Sequence, residues 1–172
     1  MKYYVFDLDD TLLETSKLLY NYQGEYLTEQ QVLHDYKKII HKDENLYSLL
    51  LNLKGKKYIL TNSGPIHCHV SLKNLGIESL FSGFIDNTSV KGKLAFKPYP
   101  PVYNYTKEVM GVSRDDEIFI FDDRIENLVY PASIGWKTVL ICKASSFDKN
   151  FQPNYTFKDI YTALEYFISN EI

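Results

Sequence analysis

Three carboxylates and a hydroxyl close an apolar run near the start of the chain, Tyr4-Val5-Phe6-Asp7-Leu8-Asp9-Asp10-Thr11. Acidic side chains are seldom buried alone, so three at the end of such a run call for cations, donors or a ligand. Strand residues two apart share a face, which sends Asp7 and Asp9 the same way if the extended chain persists to residue 9. Later apolar runs end in polar groups too. Ile59-Leu60 leads into Thr61-Asn62-Ser63-Gly64, Phe119-Ile120-Phe121 leads into Asp122-Asp123-Arg124, and Lys97 stands immediately before Pro98. Mg²⁺ takes oxygen ligands in octahedral geometry, commonly carboxylates with waters and substrate phosphate. Carboxylates as close as Asp7, Asp122 and Asp123 are costly together without an ion. Thr61, the Ser63 and Gly64 amides and Lys97 are donors of the kind phosphoryl oxygens need. The set as a whole suits a hard divalent cation beside a phosphoryl group. Each member also has a plain structural use: a helix cap at Asp10, Thr11 or the acidic pair, a loop hydrogen bond at Thr61, a solvated lysine at Lys97.

These groups converge only if the elements beneath them form one parallel sheet, with its ligand crevice beyond the carboxyl ends of the strands. Five apolar runs read as strands: Tyr3–Phe6, Lys57–Leu60, Phe84–Ile85, Glu117–Phe121 and Thr138–Ile141. Helical patterns follow most of them, which predicts βα repetition and a sheet covered on both faces. Pro65 to Leu75 reads as a helix with Ser63 as candidate cap and Gly76 as its stop. Pro98 to Met110 begins at prolines and ends at Gly111. Phe157 to Ile168 carries a stripe of Ile160, Leu164, Phe167 and Ile168. About 45 residues separate Thr11 from Lys57, more than one short crossover needs. Within them, Thr28 and Gln31 resemble a capping box ahead of a Val32, Leu33, Tyr36, Ile39, Ile40 stripe. A second helix is expected over Asn45 to Leu53, ending at Gly55.

The 172 residues suffice for one domain with a small insertion, burying about two thirds of the unfolded surface. A hydrophobic share of 45% and a charged share of 24% are those of a globular protein. A formal charge of −3 argues against a general nucleic-acid or membrane-surface binder. Cys68 and Cys142 lack any CxxC spacing, and Asp7 interrupts any leading apolar segment, so a cytoplasmic protein with reduced thiols is expected. The fifteen tyrosines need not signal aromatic recognition, because Tyr is tolerated at half-buried positions.

Four motifs taken in order resemble those of the haloacid dehalogenase-like (HAD) hydrolase superfamily. Asp7-Leu8-Asp9-Asp10-Thr11 is similar to its DxDx[T/V] motif, Thr61 to the second, Lys97 to the third and Asp122-Asp123 to the acidic fourth. The resemblance spans roughly residues 3–141. Leu60-Thr61-Asn62-Ser63, Asn74-Leu75-Gly76-Ile77, Leu80-Phe81 and Phe121-Asp122-Asp123 with Asn127 further resemble the pyrimidine 5'-nucleotidase branch and related small sugar-phosphate phosphatases. The resemblance implies a three-layer α/β/α Rossmann-like fold with a parallel sheet and a small helical cap insertion. It also implies a core of residues 1–12 and 43–172, with the cap at 13–42. Asp7 would be the nucleophile, forming an aspartyl-phosphate, and Asp9 the acid and base. Thr61, Asn62 and Lys97 would bind the phosphoryl group. Asp7, the Asp9 backbone carbonyl, Asp122 and Asp123 would hold Mg²⁺. Thr11, Ser63 and Asn127 would support the loops, with Asn127 chiefly structural.

Within the family, true dehalogenases lack an acid equivalent to Asp9, so its presence points to a phosphate ester, whose alkoxide leaving group needs a proton. The expected partner is a small phosphorylated metabolite, nucleoside 5'-monophosphates first. A macromolecular phosphate, protein or nucleic-acid end, and a non-catalytic binding role are the alternatives. The cap is shorter than in nucleotidase relatives, which leaves the substrate open. Asp10 reads as a loop or capping residue, Arg124 as solvated or reaching substrate, and Lys17, Tyr20 and Tyr22 as candidates to line the entrance. His34, His41, His67 and His69 have no zinc-like spacing; His67 and His69, two apart on a helix, do not share a face.

Overall fold

The computed structural model describes residues 1–18, 28–92, 94–142 and 151–172. Tyr20 and Tyr22 lie outside them, as does part of the expected cap. Among the described residues, six parallel strands form one sheet in the order β3-β2-β1-β4-β5-β6. These are β1 (Lys2–Phe6), β2 (Lys56–Leu60), β3 (Gly83–Ile85), β4 (Glu117–Asp122), β5 (Lys137–Ile141) and β6 (Tyr155–Phe157). The helices are α1 (Thr15–Leu18), α2 (Glu29–Ile39), α3 (Glu44–Asn52), α4 (Pro65–Leu75), α5 (Pro100–Met110), α6 (Glu126–Ser133) and α7 (Ile160–Ser169). A short 3₁₀ turn, Glu78–Leu80, precedes β3.

Alternation along β1 explains the layers. Tyr4 and Phe6 enter one apolar cluster, with Leu46 and Leu50 of α3, Leu72 of α4 and Leu164 and Phe167 of α7. Tyr3 and Val5 enter the other, with Val102 and Tyr103 of α5 and Leu128 of α6. A strand buried on both faces belongs to a parallel sheet covered by helices on each side, and this is the α/β/α arrangement the sequence predicts. Phe167 fastens the first layer to the sheet. Its ring packs against Phe119 at 5.3 Å, Phe121 at 5.2 Å and Tyr155 at 5.2 Å between centroids.

Helix punctuation follows the sequence closely. The capping box forms, with Thr28 N–H donating to Gln31 Oε1 at 2.8 Å and Gln31 N–H to Thr28 Oγ1 at 3.3 Å. Gly76 and Gly111 end α4 and α5 in left-handed conformation, at φ 78° and 62°, where a side chain would be strained. Val32, Tyr36 and Ile40 of the α2 region join the main core cluster, but Leu33 is exposed, so that stripe is narrower than expected.

Three expectations are corrected. The Ser63 hydroxyl does not cap α4; its N-cap is Gly64, without a side-chain bond. The helix expected from Pro98 begins at Pro100, after a turn closed by Tyr99 N–H on Phe96 O. The helix expected from Phe157 begins at Ile160, because Asp159 takes the N-cap and Phe157 lies in β6. Neither β6 nor α6 has a clear signature in the sequence: three residues are too few for alternation to register, and Pro131 interrupts the α6 pattern.

Phe167→Ala empties the junction of sheet and α7, and is expected to cost about 3–5 kcal/mol. Equilibrium urea unfolding measures it, and a loss below about 1 kcal/mol would show that the aromatic cluster closes over the gap.

Candidate active site

In the strand order 3-2-1-4-5-6 the chain leaves β1 in opposite directions, so the crevice opens between the carboxyl ends of β1 and β4. Asp7 is the first residue beyond β1 and Asp122 is the last of β4. They are locked side by side by the Asp7 N–H bond to Phe121 O at 2.9 Å. Lys97 comes from the loop between β3 and α5, and its Nζ lies 2.6 Å from Asp7 Oδ1 and 2.6 Å from Asp122 Oδ2. All three side chains are buried.

Burial by itself would lower the Lys97 ammonium, but Asp122 and Asp7 reverse that and hold it well above its ordinary value. Burial pushes the Asp7 carboxyl up and Asp122 adds to it, while Lys97 opposes both. Asp123 is raised to about 6 by burial and by the charges of Asp122 and Asp10. Asp7, Asp122 and Asp123 each bring an oxygen within 4.8 Å of the others'. One ammonium against three carboxylates leaves negative charge in excess. An all-oxygen, anionic donor set with that excess fits a hard divalent cation, so a cluster able to coordinate a metal ion is present.

Neighbours fix the cluster. Asp122 Oδ1 accepts from Arg124 N–H at 3.0 Å and from Asn127 Nδ2 at 2.8 Å, and Tyr103 OH donates to Asn127 O at 2.7 Å. Thr11 Oγ1 donates to Asp7 Oδ2 over 3.3 Å. Asn62 reaches the main chain of Lys97: its Nδ2 donates to Lys97 O at 3.0 Å and its Oδ1 accepts from Lys97 N–H at 2.8 Å. Thr61 Oγ1 accepts from Ser63 N–H at 3.1 Å, which leaves its hydroxyl proton to donate. Asp10, at φ 57°, accepts from Ser16 N–H at 2.9 Å and thus caps the short α1, as its reading as a capping residue requires. Arg124 is exposed and pairs with Glu126 at 2.5 Å. Lys17, also exposed, pairs with Glu14 at 3.1 Å.

Asp9 has a separate environment. Its Oδ1 accepts from Thr15 Oγ1 at 2.6 Å and meets His67 Nε2 at 2.7 Å; its Oδ2 accepts from Ser63 Oγ at 2.6 Å. The far ring nitrogen of His67, Nδ1, lies 2.7 Å from Tyr36 OH. Burial works against the Asp9 charge, but the bond and charge of His67 and the Ser63 and Thr15 hydroxyls outweigh it, lowering the carboxyl to about 2. Ser63, Asp9 and His67 are not a nucleophile–base–acid relay, because the serine donates to the carboxylate rather than to the imidazole. Sequence reasoning passed over His67 and Tyr36. Ligand spacing does not reveal His67 and the apolar stripe absorbs Tyr36, whereas a place in the first turn of α4, which leaves the strand-end loop, marks His67.

A cavity of about 810 Å³ is lined by Thr11, Leu13, Ile40, Asp123 and Ile160 among others. It touches the site only at Asp123 and Thr11; Asp7, Thr61 and Lys97 do not line it.

No family model matches the chain, and no curated protein sequence matches it. Solved structures do. A protein from Thermotoga maritima assigned as a β-phosphoglucomutase superposes with a TM-score of 0.72 at 14% identity, over 100% of both chains. The L-2-haloacid dehalogenase of Xanthobacter autotrophicus, with chloropropionic acid covalently bound, gives 0.68 at 15% identity over 100% of both chains. A protein from Bacillus subtilis assigned as a HAD-type hydrolase, in a magnesium-bound structure, gives 0.65 at 13% identity, over 96% of this chain and 97% of that one. The chain therefore has the fold of the HAD hydrolases, with a candidate catalytic aspartate cluster at its switch point.

Asp9 carries a pH signature. Its folded-state carboxyl lies below the ordinary 3.8, so its charge stabilises the fold above about pH 4 and that contribution fades as pH falls toward 2. The urea-unfolding advantage of wild type over Asp9→Asn is expected to be about 2 kcal/mol at pH 6 and smaller at pH 3. An equal gap at both values would show that the Asp9 charge is not its source.

Proposed function

We propose that the protein is a Mg²⁺-dependent phosphomonoesterase acting on a small phosphorylated metabolite, nucleoside 5'-monophosphates being the first candidates. The observation that carries this reading is the buried Asp7–Lys97–Asp122 bridge beside Asp123. It holds one carboxylate ready as a nucleophile next to an anionic cation seat, in a fold shared with enzymes that attack through a covalent intermediate. Asp9 favours phosphate esters over carbon–halogen bonds, because an alkoxide leaves only with a proton.

In this reading an oxygen of Asp7 attacks phosphorus, the bond to the leaving oxygen breaks, and Asp9, which must have gained a proton from solvent as the substrate binds, passes that proton to the leaving oxygen. Asp9 then takes a proton from water, which attacks phosphorus and frees Asp7 and phosphate. Lys97 neutralises Asp7 and holds the transferring oxygens, and Thr61 donates to them from its unspent hydroxyl proton. Asn62 serves the phosphate site by holding the Lys97 main chain, and Asn127 by orienting Asp122. Asp7, Asp122, Asp123 and the Asp9 carbonyl would hold Mg²⁺, whose chemistry there is to neutralise the phosphoryl oxygens. Thr11 and Ser63 keep Asp7 and Asp9 in place. Residues 13–42 would be the small cap, shorter than the helical bundle of the nucleotidase branch. Among the described residues no helix is long and apolar enough to cross a membrane. A reducing, cytoplasmic setting is part of this reading.

A phosphate-release screen over nucleotides, sugar phosphates and phosphopeptides tests this. Turnover of at least one small monoester is expected, reduced to background by chelator and by Asp7→Asn, and lowered about 10²–10⁴-fold by Asp9→Asn. Full activity in Asp7→Asn sinks the nucleophile assignment. Turnover of phosphopeptides alone makes the substrate macromolecular, and inactivity across the panel makes the protein a binding module.

A further inference from the structure

The two oxygens of Asp9 are not equivalent. Oδ1 is gripped from two sides, by Thr15 at the start of α1 and by the His67 ring on α4. Oδ2 meets the hydroxyl of Ser63. A hydroxyl turns from donor to acceptor by a simple rotation when its partner gains a proton, whereas a ring N–H must first move its proton elsewhere. Oδ2 is therefore the oxygen able to take up and pass on a proton while the carboxyl stays anchored through Oδ1. Behind the ring, Tyr36 OH meets Nδ1 at 2.7 Å, and its aromatic ring stands edge-on to the imidazole at 5.4 Å between centroids. Tyr36 is buried on α2, inside the stretch inserted between β1 and β2, and α2 lies against α4.

We propose that His67, braced by Tyr36, is a positioning residue that anchors Asp9 Oδ1 and so aims Oδ2 at the leaving oxygen. The inserted helix α2 thereby sets the geometry of the acid from outside the reacting centre. The inference rests on Asp9 being the acid of the reaction proposed above. Proton transfer requires heavy atoms within about 3 Å, and small misplacements of a catalytic group cost up to about 10²-fold. A role in aiming the acid falls on leaving groups that need a proton and spares those that do not.

The test compares single-turnover release of the leaving group from ethyl phosphate, whose alkoxide must be protonated, and from p-nitrophenyl phosphate, whose phenolate leaves unprotonated. In His67→Leu the ethyl-to-nitrophenyl rate ratio is expected to fall about tenfold or more. Tyr36→Phe is expected to lower it less, and His67→Gln, which keeps an N–H donor at similar reach, to restore it in part. An unchanged ratio, whether both rates fall together or neither falls, overturns the inference. Asp7→Asn in the same assay separates the two claims: its inactivity on both esters upholds the reaction whatever His67 does. Independently of turnover, the His67 ring ¹⁵N resonances are expected to move in both Asp9→Asn and Tyr36→Phe. Resonances indifferent to either substitution would overturn the anchoring.

Discussion

A single buried ammonium holds the centre of this molecule together. Lys97 Nζ bonds carboxylates from two adjacent strands, at the point where the chain's two crossover directions part. Without it, the Asp7–Asp122 pair would be two like charges in a low-dielectric pocket, a cost of several kcal/mol per uncompensated ion. With it, β1 and β4 can end in acids at neighbouring positions, and the aromatic packing of Phe6 on Phe121 just below, 4.6 Å between ring centroids, can run to the very edge of the crevice. The cluster still carries more negative than positive charge. Burial, and after it the charges of Asp122 and Asp10, raises the Asp123 carboxyl, and an anionic oxygen cluster of this kind is able to coordinate a metal ion.

Asp9 stands a short way off under opposite rules. Its charge is met by hydroxyls and an imidazole rather than by a fixed cation, and its carboxyl is lowered where Asp7 and Asp123 are raised. Two carboxylates in one motif are thus pushed apart in acidity by their surroundings, the condition under which paired acids take different parts in a reaction. In its present contacts Asp9 is a carboxylate; in the proposed reaction it serves as an acid only after gaining a proton, and the Ser63 hydroxyl is a partner that can turn to accommodate one.

Strand ends were legible because burial forces a contrast there: apolar runs stop and polar residues begin, so Asp7, Thr61 and Asp122 announce themselves in one dimension. Helices bounded by Pro and Gly, such as α4 and α5, were legible for a similar reason. Contacts made across elements were not. His67 and Tyr36 lie 31 positions apart on two helices, and neither residue type nor spacing marks them as a pair. The pair of hydrogen bonds from Asn62 to the Lys97 backbone was hidden in the same way, because nothing in the spacing of the two residues marks it. The short β6 and the proline-interrupted α6 failed by length and by local pattern, although tertiary packing defines both.

The Asn62 clamp divides the placing of the ammonium between two parts of the chain. Its amide treats Lys97 as a strand neighbour would, taking one hydrogen bond and giving one, and so fastens the lysine to the end of β2 as well as to the loop that delivers it. Two hydrogen bonds from just beyond β2 thus share with the connecting segment the work of placing the ammonium between Asp7 and Asp122.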